Sequence, residues 1–228
     1  MLVAAGALSA LFALLAVFDQ SWELAYLWLG IGLLAIAWES LLPTHTPPID
    51  AVQGGLPDRS ASMSVVTFLH TVFVPVVAML HAGFLDGVAG VIVAILIVLS
   101  AQYRLAYTDW GAHRHSFTGL PASWGVLAFY FHAFDATPVA AILTIGLCMI
   151  LGLLPIEWPH PLRSERWPVL TRAVAALWLV TAAVTLWHGL QASMVLSKTI
   201  FLAAAAYGLV LTALMARDQA LSAAGPLD

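Results

Sequence analysis

The sequence predicts an all-α, polytopic membrane protein of about eight transmembrane helices, folded as one membrane-embedded domain over residues 1–228. Of its 228 residues, 62% are hydrophobic and only 9% are charged, whereas globular chains have about 45–50% apolar and about 25% charged residues. Each membrane crossing takes roughly 20 apolar residues. The length therefore allows seven or eight crossings and leaves little chain for a domain outside the membrane.

Breaks in hydropathy divide the chain into eight apolar segments. Helices are expected rather than barrel strands, because the segments lack alternating polar positions. The predicted spans are 2–18, 24–42, 63–80, 88–106, 120–134, 139–156, 169–190 and 196–215. The first lacks the positively charged start of a signal peptide, so it is predicted to be a helix of the mature protein. A tight turn is predicted between the third and fourth spans.

The distribution of charge predicts the orientation and limits the partners. Seven arginines fall on one side of the predicted spans and only Lys198 on the other, so the arginine side and both termini are predicted to be cytoplasmic. Eight basic against twelve acidic residues exclude a nucleic-acid-binding surface. The single cysteine, Cys148, excludes a disulfide framework and a cysteine-based metal site.

Ionisable and polar groups at membrane depth are the candidate site residues, because they are costly there and usually face protein or water. Glu39 lies near the end of the second span, where it is either functional or an acid at the headgroup level. Thr67, His70 and Thr71 share one face of the third helix. His70 is either a ligand or proton carrier or, as we favour, a hydrogen-bond partner between helices.

Two polar loops on the arginine side could also carry chemistry. Asp109 precedes two histidines that could bind a divalent metal, although solvated histidines are the favoured interpretation. His160, Arg163 and Arg166 lie among tryptophans between the sixth and seventh spans. Arginine at such an interface can bind a lipid phosphate through two parallel hydrogen bonds, but the same residues would also serve as simple headgroup anchors.

Two segments carry a family resemblance. Residues 117–130 read FTGLPASWGVLAFY and resemble the FxGFPxxWNxxAFY segment of bacterial phosphatidylcholine synthases, in the CDP-alcohol phosphatidyltransferase superfamily. LPI at 154–156, followed by HPLR at 160–163 and by Arg166, resembles their LPI…HPxRxxR segment. The similarity runs in order from about Leu27 to Arg172. It implies the inner membrane of a bacterium as the location and CDP-diacylglycerol-like lipids as partners.

The resemblance also implies an activity, the transfer of choline to CDP-diacylglycerol with release of CMP. In the family, carboxylates on helices 2 and 3 hold the divalent metal for this reaction. Here Glu39 retains a carboxylate, but Met63 and Thr67 occupy the two aspartate positions of helix 3. One carboxylate cannot hold a hard cation against water. No metal and no cofactor are therefore expected, and Mg²⁺ or Mn²⁺ only if the chain is an enzyme.

The favoured function is that of a catalytically degenerate homologue, kept to bind lipid through His160, Arg163 and Arg166 or to bind a membrane partner. One alternative is an active synthase-like transferase that uses Glu39 with Asp50 or Asp58. Another is a small transporter or assembly factor unrelated in mechanism. Thr67, His70 and Asp109 form a possible polar site. Glycine- and alanine-rich faces at Gly83–Gly90 and Ala203–Gly208 would permit a homodimer or a membrane-protein partner.

Overall fold

The fold is a bundle of apolar helices, seen here in a computed structural model that describes residues 2–41, 59–106, 116–118, 124–153, 157–159, 164–190 and 194–223. The elements are α1 (Leu2–Phe18), α2 (Trp22–Leu41), α3 (Arg59–Phe68), a π-helix (Leu69–Phe73), α4 (Val74–His81), α5 (Gly87–Ala106), β1 (Ser116–Thr118), α6 (Trp124–Ala133), α7 (Pro138–Leu153), β2 (Glu157–Pro159), α8 (Pro168–His188) and α9 (Val195–Ala223). The all-α prediction is confirmed except for the two short strands.

Several helices are apolar enough and long enough for a membrane. Within the described ranges, three stretches meet both criteria, at 64–81, 168–188 and 195–220. Shorter apolar helices lie at Ala4–Phe18, Trp22–Trp38, Gly87–Tyr103 and Pro138–Gly152. The ten residues of α6 extend about 15 Å, roughly half the hydrocarbon thickness. A membrane-like helical bundle is thus observed, while the number of eight crossings stays a prediction.

The helix boundaries agree with the predicted spans to within four residues, except at the end of α9. That helix continues to Ala223 rather than stopping at 215. Its last turns contain Ala, Arg, Gln and Leu, which favour helix without being uniformly apolar. Hydropathy therefore detected the membrane part of α9 and missed its polar extension.

A π-helix interrupts the third predicted span, which is a correction to the single uniform helix expected there. At its end the Val74 N–H donates to Leu69 O, one residue further back than in an α-helix. Pro75 lies two residues after the π-helix and explains why the turn is widened. Proline has no N–H, and its ring crowds the carbonyl four residues earlier, that of Thr71. A widened turn before Pro75 relieves this crowding.

The turn between α4 and α5 depends on two glycines. Gly83 has a φ of 79°, in the left-handed region that glycine adopts without strain. Gly90 lies so close to Leu85 that a Cβ at Gly90 would be 2.2 Å from the Leu85 carbonyl carbon. The predicted tight turn is confirmed. Gly90, part of the glycine-rich face considered for dimer formation, serves a contact within the chain.

The two strands form a small antiparallel pair at one end of the bundle. Ser116 pairs with Pro159, Phe117 with Trp158, and Thr118 with Glu157. The pair joins the segment before α6 to the segment before α8, and β2 also packs against α9. The strand pair therefore brings the two segments that carry the family resemblance into direct contact.

The helices pack around one main hydrophobic core. Helices α1 and α2 form a closely packed hairpin, and α4 contacts α1, α5 and α6. Aromatic rings of α6, α8 and α9 pack together at Phe129, Tyr130, Trp178 and Phe201. Large apolar side chains remain exposed along α7, α8 and α9, as expected of helices that face lipid.

Candidate functional site

His70 lies at the centre of a polar contact inside the apolar bundle. Its side chain is only 1% exposed. Its Nε2 atom is 2.9 Å from Ser9 Oγ of α1, and its Nδ1 atom is 3.3 Å from Val66 O of α3. Ser9 Oγ in turn donates to Gly6 O at 2.9 Å. The π-helix thus places a buried imidazole against α1 in the geometry of a hydrogen bond between membrane helices.

Glycine creates the space that His70 occupies. A Cβ added to Gly32 of α2 would lie 1.8 Å from His70 Nε2. A Cβ on Gly6 of α1 would lie 2.7 Å from Val66 Cγ1. Because both distances are shorter than van der Waals contact, each helix needs glycine at its point of closest approach. The imidazole therefore fills the junction of α1, α2 and the π-helix.

Thr67 and Thr71 lie beside this junction without joining its hydrogen bonds. Thr71 Oγ1 donates to Thr67 O at 2.8 Å, which is a bond within one helix. Both side chains are partly buried. The structure thus places Thr67 and His70 on one helix, as predicted, and His70 bonds to Ser9 and Val66.

The residue types at Met63, Thr67 and His70 are not those that a hard divalent metal prefers. Thr67 contributes a hydroxyl, the Met63 position provides a thioether, and the His70 ring is already in contact with Ser9. Magnesium and manganese prefer several charged oxygens. The side chain of Glu39 lies outside the described residues. Among the residues that are described, no three His, Cys, Asp or Glu side chains are grouped as metal ligands.

A second polar arrangement lies where α8 begins and α9 ends. We call it the arginine cap and define it as Ser164–Trp167, the first turn of α8, and the α9 residues that contact them. Arg166 forms an ion pair with Asp218 of α9, and its Cζ atom is 5.4 Å from the centre of the Trp167 ring. A guanidinium held between a carboxylate and an indole is a positioned cation at the end of the bundle.

Hydrogen bonds fix the backbone of the arginine cap. Trp167 has a φ of 50°, a left-handed conformation that is uncommon for a bulky residue. Ser164 Oγ donates to Arg166 O at 3.0 Å, and Thr171 Oγ1 is 3.0 Å from Trp167 O. Thr171 Oγ1 also lies 2.7 Å from Tyr207 Oη of α9. These contacts attach the start of α8 to α9.

The other predicted lipid-binding and polar residues cannot be placed. His160 and Arg163, which precede the arginine cap, lie outside the described residues. Asp109 lies outside them as well. Of the predicted phosphate-binding group, Arg166 is thus the member whose surroundings are known.

Two tryptophans carry buried indole N–H groups that have no acceptor among the described residues, Trp124 of α6 and Trp158 of β2. Trp124 belongs to the main hydrophobic core. Trp158 is 9% exposed and lies outside that core. A buried donor without a partner costs about 1–3 kcal/mol, so each needs an explanation.

An aromatic cluster at the opposite end of the bundle was not foreseen from the sequence. Tyr26 Oη lies 2.6 Å from His132 Nδ1, and the His132 ring packs against Trp22 and Phe84. Nearby, Glu23 Oε1 accepts a hydrogen bond from the Leu190 N–H. These contacts join α2 and α6 to each other and to the residues just after α8. We interpret them as contacts that stabilise the packing of the bundle.

Other contributors were missed because their sequence signals are weak. Ser9 is a lone hydroxyl in an apolar helix, and Gly32 is one of two glycines in α2. Asp218 lies beyond the last hydropathic segment and was not paired with any arginine. Only the isolation of Ser9 among apolar neighbours could have indicated a buried partner.

Comparison with known proteins gives the lineage. The chain is 28% identical to a phosphatidylcholine synthase of Bradyrhizobium diazoefficiens over 183 residues, which are 79% of this chain and 67% of that protein. It is 28% identical to the enzyme of the same name from Pseudomonas aeruginosa (78% and 74% covered) and 24% identical to that of Agrobacterium fabrum (78% and 73%). No family model matches the chain.

The fold and these similarities define an apolar helical protein of the membrane type that is similar to proteins named phosphatidylcholine synthase. The chain is a relative of the bacterial phosphatidylcholine synthases and thus of the CDP-alcohol phosphatidyltransferases. The resemblance drawn from residues 117–130 and 154–166 is thereby confirmed.

Proposed function

We propose that the protein lies in the bacterial inner membrane with both termini in the cytoplasm, and binds a phospholipid or CDP-diacylglycerol-like lipid without transferring choline to it. The observation that carries this proposal is the donor set of α3. Met63 and Thr67 stand where the resemblance expects aspartates. Without those charges, a metal cannot neutralise a pyrophosphate at this face.

The packing around His70, about one turn after Thr67, also supports a protein that does not transfer choline. His70 fills the junction between α1, α2 and the π-helix, in direct contact with Gly32. Its ring nitrogens already have partners in Ser9 and Val66. The contact between helices near Thr67 is therefore built around an internal hydrogen bond.

The lipid-binding part of the proposal rests on the arginine cap. Arg166 is held by Asp218 and Trp167 next to the start of α8, within the segment that also contains His160 and Arg163. Arginine offers five donors in a planar fork that matches a phosphate. Its contact with Asp218 is made through one nitrogen, Nη1. We propose that His160, Arg163 and Arg166 bind the lipid phosphate.

The test is an assay of CMP release. The purified protein in nanodiscs receives CDP-diacylglycerol, choline and Mn²⁺, with the Pseudomonas aeruginosa relative as the positive control. We expect no CMP above the background set by empty nanodiscs. Combining Met63→Asp with Thr67→Asp should restore metal-dependent CMP release only if a nucleotide site remains.

A second candidate function is an active transferase, favoured by the shared name of the matched relatives, phosphatidylcholine synthase. It would use Glu39 together with Asp50 or Asp58 from the segment between α2 and α3. Turnover by the unaltered protein that disappears in Glu39→Ala would establish this function and overturn the non-catalytic proposal.

A further inference from the structure

An open cavity of about 430 Å³ lies in the arginine cap, against the first turn of α8. It is lined by four consecutive apolar residues, Trp167, Pro168, Val169 and Leu170. Its volume falls within the range of about 300–1,000 Å³ that is usual for small-ligand sites. In a protein of the membrane type, such a cavity offers an apolar surface to part of a lipid chain.

The conformation of Trp167 fixes one wall of this cavity. Its left-handed backbone is uncommon for a bulky residue. Thr171 Oγ1 lies within hydrogen-bond distance of both Trp167 O and Tyr207 Oη, which holds the backbone in place. Trp167 nevertheless remains 47% exposed. Backbone strain persists where the surrounding structure enforces it, and it is concentrated at ligand sites.

The same indole joins the cavity to a positive charge. Arg166 Cζ is 5.4 Å from the centre of the Trp167 ring. One nitrogen of Arg166, Nη1, contacts Asp218, and the Arg166 side chain is 36% exposed. An ion pair this exposed contributes little stability, so an incoming phosphate can share the guanidinium with Asp218 or replace it. A cation and an apolar cavity therefore adjoin at one tryptophan.

We propose that the cavity receives the glycerol-proximal part of an acyl chain, in a phospholipid whose phosphate contacts Arg166. The inference rests on the proposed function only through Arg166, and it adds the hydrocarbon chain to the groups that are recognised. A phosphate binds to a guanidinium, and a hydrocarbon chain gains free energy from burial against an apolar surface. A glycerophospholipid supplies both groups a few bonds apart, whereas free phosphate supplies only the first.

The experiment uses phosphatidylglycerol that carries a photoactivatable diazirine in one acyl chain, close to the glycerol. The purified protein is irradiated with this lipid in a maltoside detergent, which contains no phosphate, and mass spectrometry maps the labelled residues. Val169→Phe fills the cavity, and Val180→Phe is its matched control. Both valines are highly exposed, and Val180 lies about three turns further along the same face of α8. Arg166→Ala removes the phosphate contact.

We expect the unaltered protein to be labelled more strongly at residues 167–170 than at Leu177, which is an exposed apolar residue of the same helix. Val169→Phe should lower the labelling at 167–170 about tenfold, as expected when the burial of about two methylene groups is lost. Arg166→Ala should lower it too, while Val180→Phe should leave it unchanged. Unlabelled phosphatidylglycerol in excess should compete, and inorganic phosphate should not.

The inference and the proposed function fail in different ways. Equal labelling of Leu177 and residues 167–170 would show a general lipid coating and overturn the inference. Loss of labelling in Arg166→Ala but not in Val169→Phe would also overturn it, while the phosphate contact of Arg166 would stand. Competition by inorganic phosphate would show that the anion alone is bound and overturn the role of the chain. Full labelling of residues 167–170 in Arg166→Ala would overturn the phosphate contact itself, and with it this part of the proposed function.

Discussion

At the scale of residues, the junction around His70 depends on an exact fit between an imidazole and a glycine. Membrane helices approach closely where small residues face each other, and polar side chains between them find partners there. Gly32 provides the space and Ser9 provides the hydrogen-bond partner. A methyl group added to Gly32 could not be accommodated by a small movement of His70, because the imidazole is itself buried.

The first prediction concerns Gly32→Ala, with Gly30→Ala as its control on the same helix. The new Cβ would overlap His70, so we expect the free energy of unfolding to fall by about 1–3 kcal/mol. Outside the backbone of its own helix, nothing lies within 4 Å of a Cβ at Gly30, and that variant should be at least as stable as the unaltered protein. Thermal unfolding in detergent measures both. Equal stability of the two variants would contradict the described packing.

At the scale of elements, α8 and α9 are attached through polar contacts at the start of α8 as well as through the rings of Trp178 and Phe201. Thr171 and Tyr207 link the first turn of α8 to α9, and Arg166 adds an ion pair with Asp218. The ion pair is partly exposed, so it adds little stability on its own. The hydroxyl contact is part-buried and carries more of the attachment.

A double-mutant cycle measures this contact. Tyr207→Phe and Thr171→Val each remove one partner, and their combined effect should show a coupling of about 0.6 kcal/mol. The control cycle combines Tyr207→Phe with Thr199→Val in place of Thr171→Val. The Thr199 hydroxyl donates to Val195 O of its own helix. The effects in this control cycle should be additive to within about 0.5 kcal/mol. Additivity in the first cycle would show that α8 and α9 are not joined here.

At the scale of the whole molecule, the seven arginines and the single Lys198 predict the orientation. The contact of the start of α8 with the end of α9 agrees with antiparallel neighbours, and it places Arg166 and Arg217 toward the same end. The cytoplasmic location of both termini stays a prediction from the charge distribution, which the packing does not test.

Reporter fusions test that orientation. Green fluorescent protein joined after Asp228 should fluoresce, while alkaline phosphatase at the same point should be inactive, because the latter folds only outside the cytoplasm. Alkaline phosphatase joined after Met194, between α8 and α9, should be active. The reverse pattern would place the arginine cap outside the cell and remove the basis for a cytoplasmic lipid site.

The sequence predicted the helices well because hydropathy reports directly on burial in lipid. It could not predict contacts that depend on where helices cross, such as Ser9 with His70 or Arg166 with Asp218. The assignment of Met63 and Thr67 to the family's aspartate positions comes from the resemblance, by order along the chain, and stays a prediction. The two strands were missed, because three residues each are too few for a recognisable pattern.

The π-helix at Leu69–Phe73 has a consequence for the angular relation of its neighbours. Each residue of an α-helix turns the chain by about 100°, and a π turn contains one residue more than the α turn it replaces. If the same residues formed a uniform α-helix instead, Thr67 would be rotated by roughly a quarter of a revolution relative to Pro75. The wide turn thus determines which side of α3 is presented to α1 and α5.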